Sequence, residues 1–218
     1  MIGDFLDLDV VQGAPLAAGP FRFALWRDPL RPAVGRRLTE EFPTDGFVRS
    51  LRRAGGSKTY SFLVRKAVDK NRRLPSCDEL SPAWQAFISE LAGPGYRALV
   101  GEMVGERLDD CAIDVGFFVF TDGNYISIHT DHLIKAATNV LYFSHAWEPE
   151  CGGELCLYRR WSDGRFEAFD RLLPQAGNGM LLVPGAASWH GVNAVTPAAR
   201  GPRLTLQIET WRTLREQT

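Results

Sequence analysis

No apolar run in the 218-residue sequence approaches the roughly 18–20 residues that a membrane-crossing helix needs, so no membrane partner is expected. Charge of one sign is also lacking. The 25 Lys and Arg against 26 Asp and Glu leave a net charge of −1, which gives no general attraction for nucleic acid. The acidic start Met-Ile-Gly-Asp-Phe-Leu-Asp has neither the basic opening nor the apolar stretch of a secretory signal, and the expected compartment is the cytoplasm. Cysteine is sparse. Cys77, Cys111, Cys151 and Cys156 then read as thiols, and the Cys151/Cys156 spacing does not suit a zinc knuckle. Repeats and low-complexity segments are missing as well, which leaves a chain of ordinary globular composition, 45% hydrophobic, long enough for one domain with a sizeable core.

The chain changes character near residue 111. Before it, Phe21–Trp26 alternates weakly like a strand, and 32–42, 46–54, 82–91 and 95–107 read as helices. Trp84, Phe87, Ile88 and Leu91 repeat at helical spacing and mark a core face. Many basic residues fall in this first third, among them Arg49, Arg52, Lys58, Arg65, Lys66 and Arg73; they suit a solvated helical surface or a docking face for an acidic partner. After residue 111, eight short β-rich runs follow: 111–121, 125–131, 137–144, 153–159, 166–172, 179–183, 189–195 and 203–211. Their spacing leaves no room for the crossover helices of a parallel sheet. The expected fold class is mainly β with flanking helices around a jelly-roll, cupin-like core. Residues 1–110 form a helical or mixed support region, and residues 111–218 form the barrel.

Histidine is scarce: His129, His132, His145 and His190. His129-Thr130-Asp131 ends an alternating run, and residues i and i+2 of a strand share a face. An inward carboxylate requires a positive partner. Two histidines and one carboxylate on one face form the ligand set of non-haem iron(II) oxygenases, and His190, at the start of a later strand, supplies the second imidazole. Taken alone, His-x-Asp is more often an ordinary hydrogen-bonded pair than an iron site. By the same alternation Tyr125 shares the face of His129 and Asp131 and would line the pocket.

Four features in order carry more weight: His129-Thr130-Asp131; Thr138-Asn139-Val140-Leu141-Tyr142-Phe143-Ser144; Trp147 followed by Gly152-Gly153-Glu154-Leu155; and His190-Gly191-Val192 with Arg203 thirteen residues after the histidine. In this the sequence from about 115 to 211 resembles the 2-oxoglutarate/iron(II) dioxygenase superfamily, in particular its prolyl 4-hydroxylase-like branch. The resemblance implies a double-stranded β-helix and an oxidoreductase using iron(II), 2-oxoglutarate as co-substrate and dioxygen, with ascorbate an option as reductant. It implies His129, Asp131 and His190 as iron ligands, with Arg203 and Tyr142 on the distal carboxylate of 2-oxoglutarate. A guanidinium suits that buried carboxylate, since its planar fork grips two oxygens. Arg200 is the rival anchor, in a loop where exposure is expected. Asn139, Thr205 and Gln207 are further lining candidates. His132 faces opposite to His129 and Asp131 if the strand persists and is not expected as a ligand; His145 reads as surface or substrate-side, and Lys135 as solvated, with a substrate contact as the alternative.

The implied activity is hydroxylation of an unactivated C–H bond in a small molecule, amino acid or peptide, with release of succinate and CO2. In related halogenases a small residue replaces the carboxylate, so Asp131 argues for oxygenation; desaturation or cyclisation stays open. Two other readings remain: a cupin-like metal enzyme without 2-oxoglutarate, and a non-catalytic barrel acting as a binding module. The sequence does not determine oligomeric state.

Overall fold

The computed structural model describes residues 2–54 and 56–213. Alternation along three long antiparallel strands separates a helix-covered face from a cavity-lining face. These strands are β5 (Ala112–Phe120), β7 (Lys135–Tyr142) and β12 (Arg203–Trp211), with β12 between the other two. Ile113, Val115 and Phe117 of β5, Leu141 of β7 and Leu206 and Ile208 of β12 point one way and are buried. Phe118, Phe120, Thr138, Val140, Tyr142, Arg203, Thr205, Gln207 and Glu209 point the other way, into a cavity. A side-chain period of two produces this division.

The remaining strands are β1 (Phe23–Arg27), β2 (Val48–Arg52), β3 (Tyr60–Asp69), β4 (Arg72–Arg73), β6 (Tyr125–His129), β8 (Leu155–Arg160), β9 (Phe166–Leu172), β10 (Asn178–Leu182) and β11 (Trp189–Val192). The hydrogen-bonded order is β1-β10-β7-β12-β5-β3-β6-β11-β8-β9, with β2 and β4 attached to β3. The two halves join where the start of β3 pairs β6, through Tyr60 with Ile126 and Ser61 with Tyr125. There the sheet curls, and β6, β8 and β11 face β5, β7, β10 and β12 across one cavity. This is a double-stranded β-helix.

After the short helices α1 (Leu8–Gly13), α2 (Pro32–Glu40) and α3 (Pro75–Asp78), two longer helices cover the outer face of the larger half. In α4 (Pro82–Ala92) the Ser81 side chain accepts from the Trp84 N–H, and Pro82 occupies the first turn, where its missing N–H costs nothing. Trp84, Phe87, Ile88 and Leu91 form the buried face expected from their spacing. Trp84 packs edge-on against Phe117 at 4.7 Å. Gly93-Pro94 ends this helix and begins α5 (Pro94–Val104). All four cysteines are free and buried. No helix among the described residues is long and apolar enough to cross a membrane.

All eight expected C-terminal strands are present, as is β1. Two expectations in the first third fail. Residues 46–54 are not a helix but contain β2, an exposed strand formed only because its edge pairs β3 along five residues. The basic residues there are therefore not a helical surface: Arg49 and Arg52 lie on β2. Arg65 is 3% exposed, its guanidinium held by Asp45 and Glu79. Truncating the Phe117 ring in the Trp84 cluster (F117A) should cost about 3–5 kcal/mol in urea-induced unfolding, against less than about 0.5 kcal/mol for Leu133→Ala on the surface.

Candidate active site

His129 closes β6 and His190 is the second residue of β11; the two are cross-strand partners. The pairing sets their rings side by side, with centroids 4.3 Å apart. A bulge follows, so that Val192 faces Ile126 rather than the residue alternation would give. Gly191 permits this approach, because a Cβ there would lie 3.0 Å from the Ile126 carbonyl oxygen. Asp131 lies just past the end of β6, with its Oδ1 3.7 Å from His129 Nε2. One donor atom from each of His129, Asp131 and His190 falls within 4.8 Å of the others, and all three residues are buried.

Both imidazoles are oriented through Nδ1, and His129 Nε2 meets the Lys58 ammonium at 3.3 Å. His129 Nδ1 lies 2.9 Å from the Ser127 carbonyl and His190 Nδ1 lies 2.9 Å from the Ser188 carbonyl. A carbonyl only accepts, so each Nδ1 carries the ring proton and each Nε2 presents a lone pair, the orientation metal-ligating histidines require. The carboxylate of Asp131 is held by the Thr138 hydroxyl at 2.8 Å and the Lys135 ammonium at 3.2 Å. Lys135 also donates to Glu209 at 2.6 Å. Burial alone would push the Asp131 carboxyl up. The charges of Lys135 and Lys58 and the hydrogen bonds that Lys135 and Thr138 donate instead hold it well below the usual carboxylate range. Burial pushes His190 down to about 4, so its imidazole is neutral at pH 7. Lys135 pays for its burial through Glu209 and Asp131, which raise its pKa overall. Asp131 is thus ionised and His190 neutral, as a divalent cation demands of its ligands.

Arg203 occupies the floor of the cavity, which measures about 200 Å³. It is 2% exposed, and no carboxylate among the described residues lies within ion-pair distance. Its Nε donates to the Gly153 carbonyl at 2.7 Å, and its Nη1 reaches Thr205 Oγ1 at 3.5 Å. Its guanidinium lies 4.6 Å from the Phe120 ring centroid. The adjacent Tyr142 hydroxyl is buried without a hydrogen-bond partner. Burial lowers the arginine and raises the tyrosine. A buried cation beside an unsatisfied hydroxyl forms a receptor for a carboxylate. The Gly152-Gly153 turn positions this arginine. Both glycines have positive φ, and a Cβ on Gly152 would sit 2.1 Å from the Ala194 carbonyl oxygen.

Several sequence expectations need correcting. Tyr125 does not line the cavity; the β6 bulge shifts the alternation and turns Ile126 inward in its place. Asn139 faces the helical layer, among Leu6, Trp26 and Leu99, because Thr138 and Val140 take the inward positions. Lys135 is buried between two carboxylates rather than solvated. Thr205 and Gln207 do line the cavity, and Arg200, His132 and His145 are exposed. The sequence reading missed Thr138, Glu209 and Lys58. The alternation of Thr138 with Val140 and Tyr142, and of Glu209 with Arg203, Thr205 and Gln207, was the available signal. Lys58 precedes a strand that the sequence did not disclose.

Residues 116–212, which contain the three clustered ligands and Arg203, match the family model of the 2OG-Fe(II) oxygenase superfamily. No curated protein matches the sequence. Among solved structures the chain is similar to a Pseudomonas putida prolyl-4-hydroxylase. The TM-score is 0.61 at 18% identity, over 94% of this chain and 98% of that one. A Burkholderia pseudomallei oxidoreductase of the 2OG-Fe(II) oxygenase family gives 0.54 at 18% identity, over 83% and 78%. A non-haem α-ketoglutarate-dependent epimerase of nogalamycin biosynthesis gives 0.53 at 12% identity, over 87% and 78%. At these identities the structural likeness establishes the fold.

Replacing Lys135 with Met strands two carboxylates and should lower the unfolding free energy of metal-free protein by about 3–5 kcal/mol in urea titrations. The depressed His190 contributes stability above its unfolded pKa of 6.5 that is lost as pH falls towards about 4. Metal-free wild type should therefore unfold at lower urea at pH 5 than at pH 7, with a smaller difference in His190→Gln.

Proposed function

We propose that this chain is a 2-oxoglutarate/iron(II)-dependent oxygenase that hydroxylates an unactivated C–H bond. The substrate is a small molecule, amino acid or peptide, and succinate and CO2 are released. His129, Asp131 and His190 hold the iron; Arg203 and Tyr142 hold the distal carboxylate of 2-oxoglutarate. The observation that carries this reading is the pairing of two features in one cavity. One is a buried triad whose candidate ligand atoms lie within 4.8 Å of one another, with both Nδ1 atoms engaged by backbone carbonyls. The other is a buried guanidinium with no carboxylate within ion-pair distance among the described residues.

Iron held by His129, Asp131 and His190 would supply the oxidising chemistry, with dioxygen and 2-oxoglutarate as co-substrates. The protein's own side chains do the rest. Thr138 and Lys135 fix the rotamer of Asp131, and the Ser127 and Ser188 carbonyls fix the two imidazoles. Arg203, held by Gly153, gives a planar two-point grip on the co-substrate. Phe118, Phe120, Val140, Leu155 and Leu182 keep the cavity apolar and limit water near the reacting carbon. The prolyl-4-hydroxylase likeness favours hydroxylation of a peptide or small molecule, while the epimerase likeness keeps other outcomes of the same hydrogen abstraction open. A cupin-like enzyme without 2-oxoglutarate would have no use for an unneutralised Arg203.

Substrate-stimulated succinate release, assayed with iron(II) and ascorbate over a library of small molecules and peptides, tests the proposal. His129→Ala should abolish it. Arg203→Met should raise the 2-oxoglutarate concentration required by about 100-fold, since one charge-assisted bidentate contact is lost, and Arg200→Ala should leave it unchanged. Turnover by His129→Ala, or exchange of the two arginine results, would contradict the assignment.

A further inference from the structure

Lys58 lies two residues before β3, and its ammonium has an unusual address. The Nζ is 3.3 Å from His129 Nε2, inside the same cavity as the ligand triad. That lone pair is its one hydrogen-bond acceptor among the described residues, and no carboxylate lies within ion-pair distance of it. Asp131 is already engaged by Lys135 and Thr138, and Glu209 by Lys135 and Gln207. On the reading of the site above, on which this inference rests, a metal takes the His129 lone pair. The ammonium then loses its acceptor and is repelled by the cation. Lys58 is half-buried and lines the cavity, so the charge stays at the cavity and needs a new partner.

The charge balance says what kind of partner. Lys58, Lys135 and Arg203 against Asp131 and Glu209 leave the site at +1, with both histidines bound through neutral rings. A divalent cation and doubly negative 2-oxoglutarate cancel each other, so the loaded site remains at +1. One negative charge on the substrate would neutralise it. The neighbouring wall is aromatic: Lys58, Tyr60 and Phe62 alternate on one face of the chain and all line the cavity. The Tyr60 and Phe62 rings stack at 4.9 Å, with the Arg52 guanidinium 5.6 Å above Tyr60. We infer that Lys58 is a specificity-determining residue that binds a carboxylate of the substrate, with Tyr60 and Phe62 against the apolar body that the carboxylate is attached to. The carboxylate belongs to a free organic acid or to a peptide, and both present the same chemistry.

Binding to the zinc(II)-substituted protein saturated with 2-oxoglutarate tests this without turnover. The probes are benzoate, 3-phenylpropionate and the peptide acetyl-Phe-Pro-Phe, each as the free acid and as the primary amide, titrated calorimetrically. Wild type should bind at least one acid about tenfold or more tighter than its amide, as expected for a charge-assisted contact, and the pair that does so identifies a small acid or a peptide as the source. Lys58→Met should bring that ratio close to one while its 2-oxoglutarate affinity stays within about twofold of wild type, and Lys58→Arg should restore most of the preference. Acid-to-amide ratios near one on wild type for every pair, or a preference that survives in Lys58→Met, overturn the inference and leave the oxygenase reading standing. Wild type that fails to bind 2-oxoglutarate, or Arg203→Met that binds it equally well, overturns the oxygenase reading and this inference with it.

Discussion

A buried carboxylate surrounded by positive charge organises this molecule. Asp131 is nine-tenths out of water, where an ionised carboxyl is costly unless it is matched. The Lys135 ammonium and the Thr138 hydroxyl match it beside the two imidazoles, and Lys135 in turn needs Glu209. These groups come from β6, β7, β11 and β12 and from the turn after β6, so the electrostatic cluster also pins the two halves of the curled sheet to each other. Such a network is a poor way to stabilise a protein, since well-packed apolar groups would do as well or better. Its retention is understandable if the negative charge is there to receive a cation.

The sheet provides what the cluster needs. Antiparallel pairing sets His129 opposite His190, and the bulge behind them is tolerated because position 191 is glycine. At the other end of the cavity Gly152 and Gly153 adopt backbone angles that place one carbonyl on the Arg203 Nε. The sequence elements around the second histidine and the paired glycines thus have separate mechanical reasons, one to let strands approach and one to aim a guanidinium. The helices α4 and α5 touch neither end. They cover the opposite face of the same strands, through Trp84 and its neighbours, and hold the larger half rigid.

Most of the fold after residue 111 was legible because its strands carry their pattern locally: apolar residues alternate, and Gly, Asp, Asn or Pro mark the turns. That His129, Asp131, His190 and Arg203 would share one site was legible through ordered motifs. What failed did so for physical reasons. The strand β2 is exposed on nearly every residue and has no period of its own; its conformation comes from β3. The buried Arg65 hid the inward face of β3 behind a charge. Tyr125 was misplaced because a bulge breaks the period of two, and no residue type announces that bulge except Gly191 on the partner strand. Lys135 and Lys58 looked like surface lysines because burial of a cation depends on partners from distant strands, which sequence spacing does not reveal.

The central claim is that one cavity binds a divalent iron through the triad and 2-oxoglutarate against Arg203 at the same time. Anaerobic titration of iron(II) and 2-oxoglutarate into the purified protein tests it directly, by visible absorption. The account predicts the weak charge-transfer band of a chelated 2-oxo acid, saturating at one equivalent of each component. Iron binding with no such band at saturating 2-oxoglutarate would contradict it and leave a metal site of another kind.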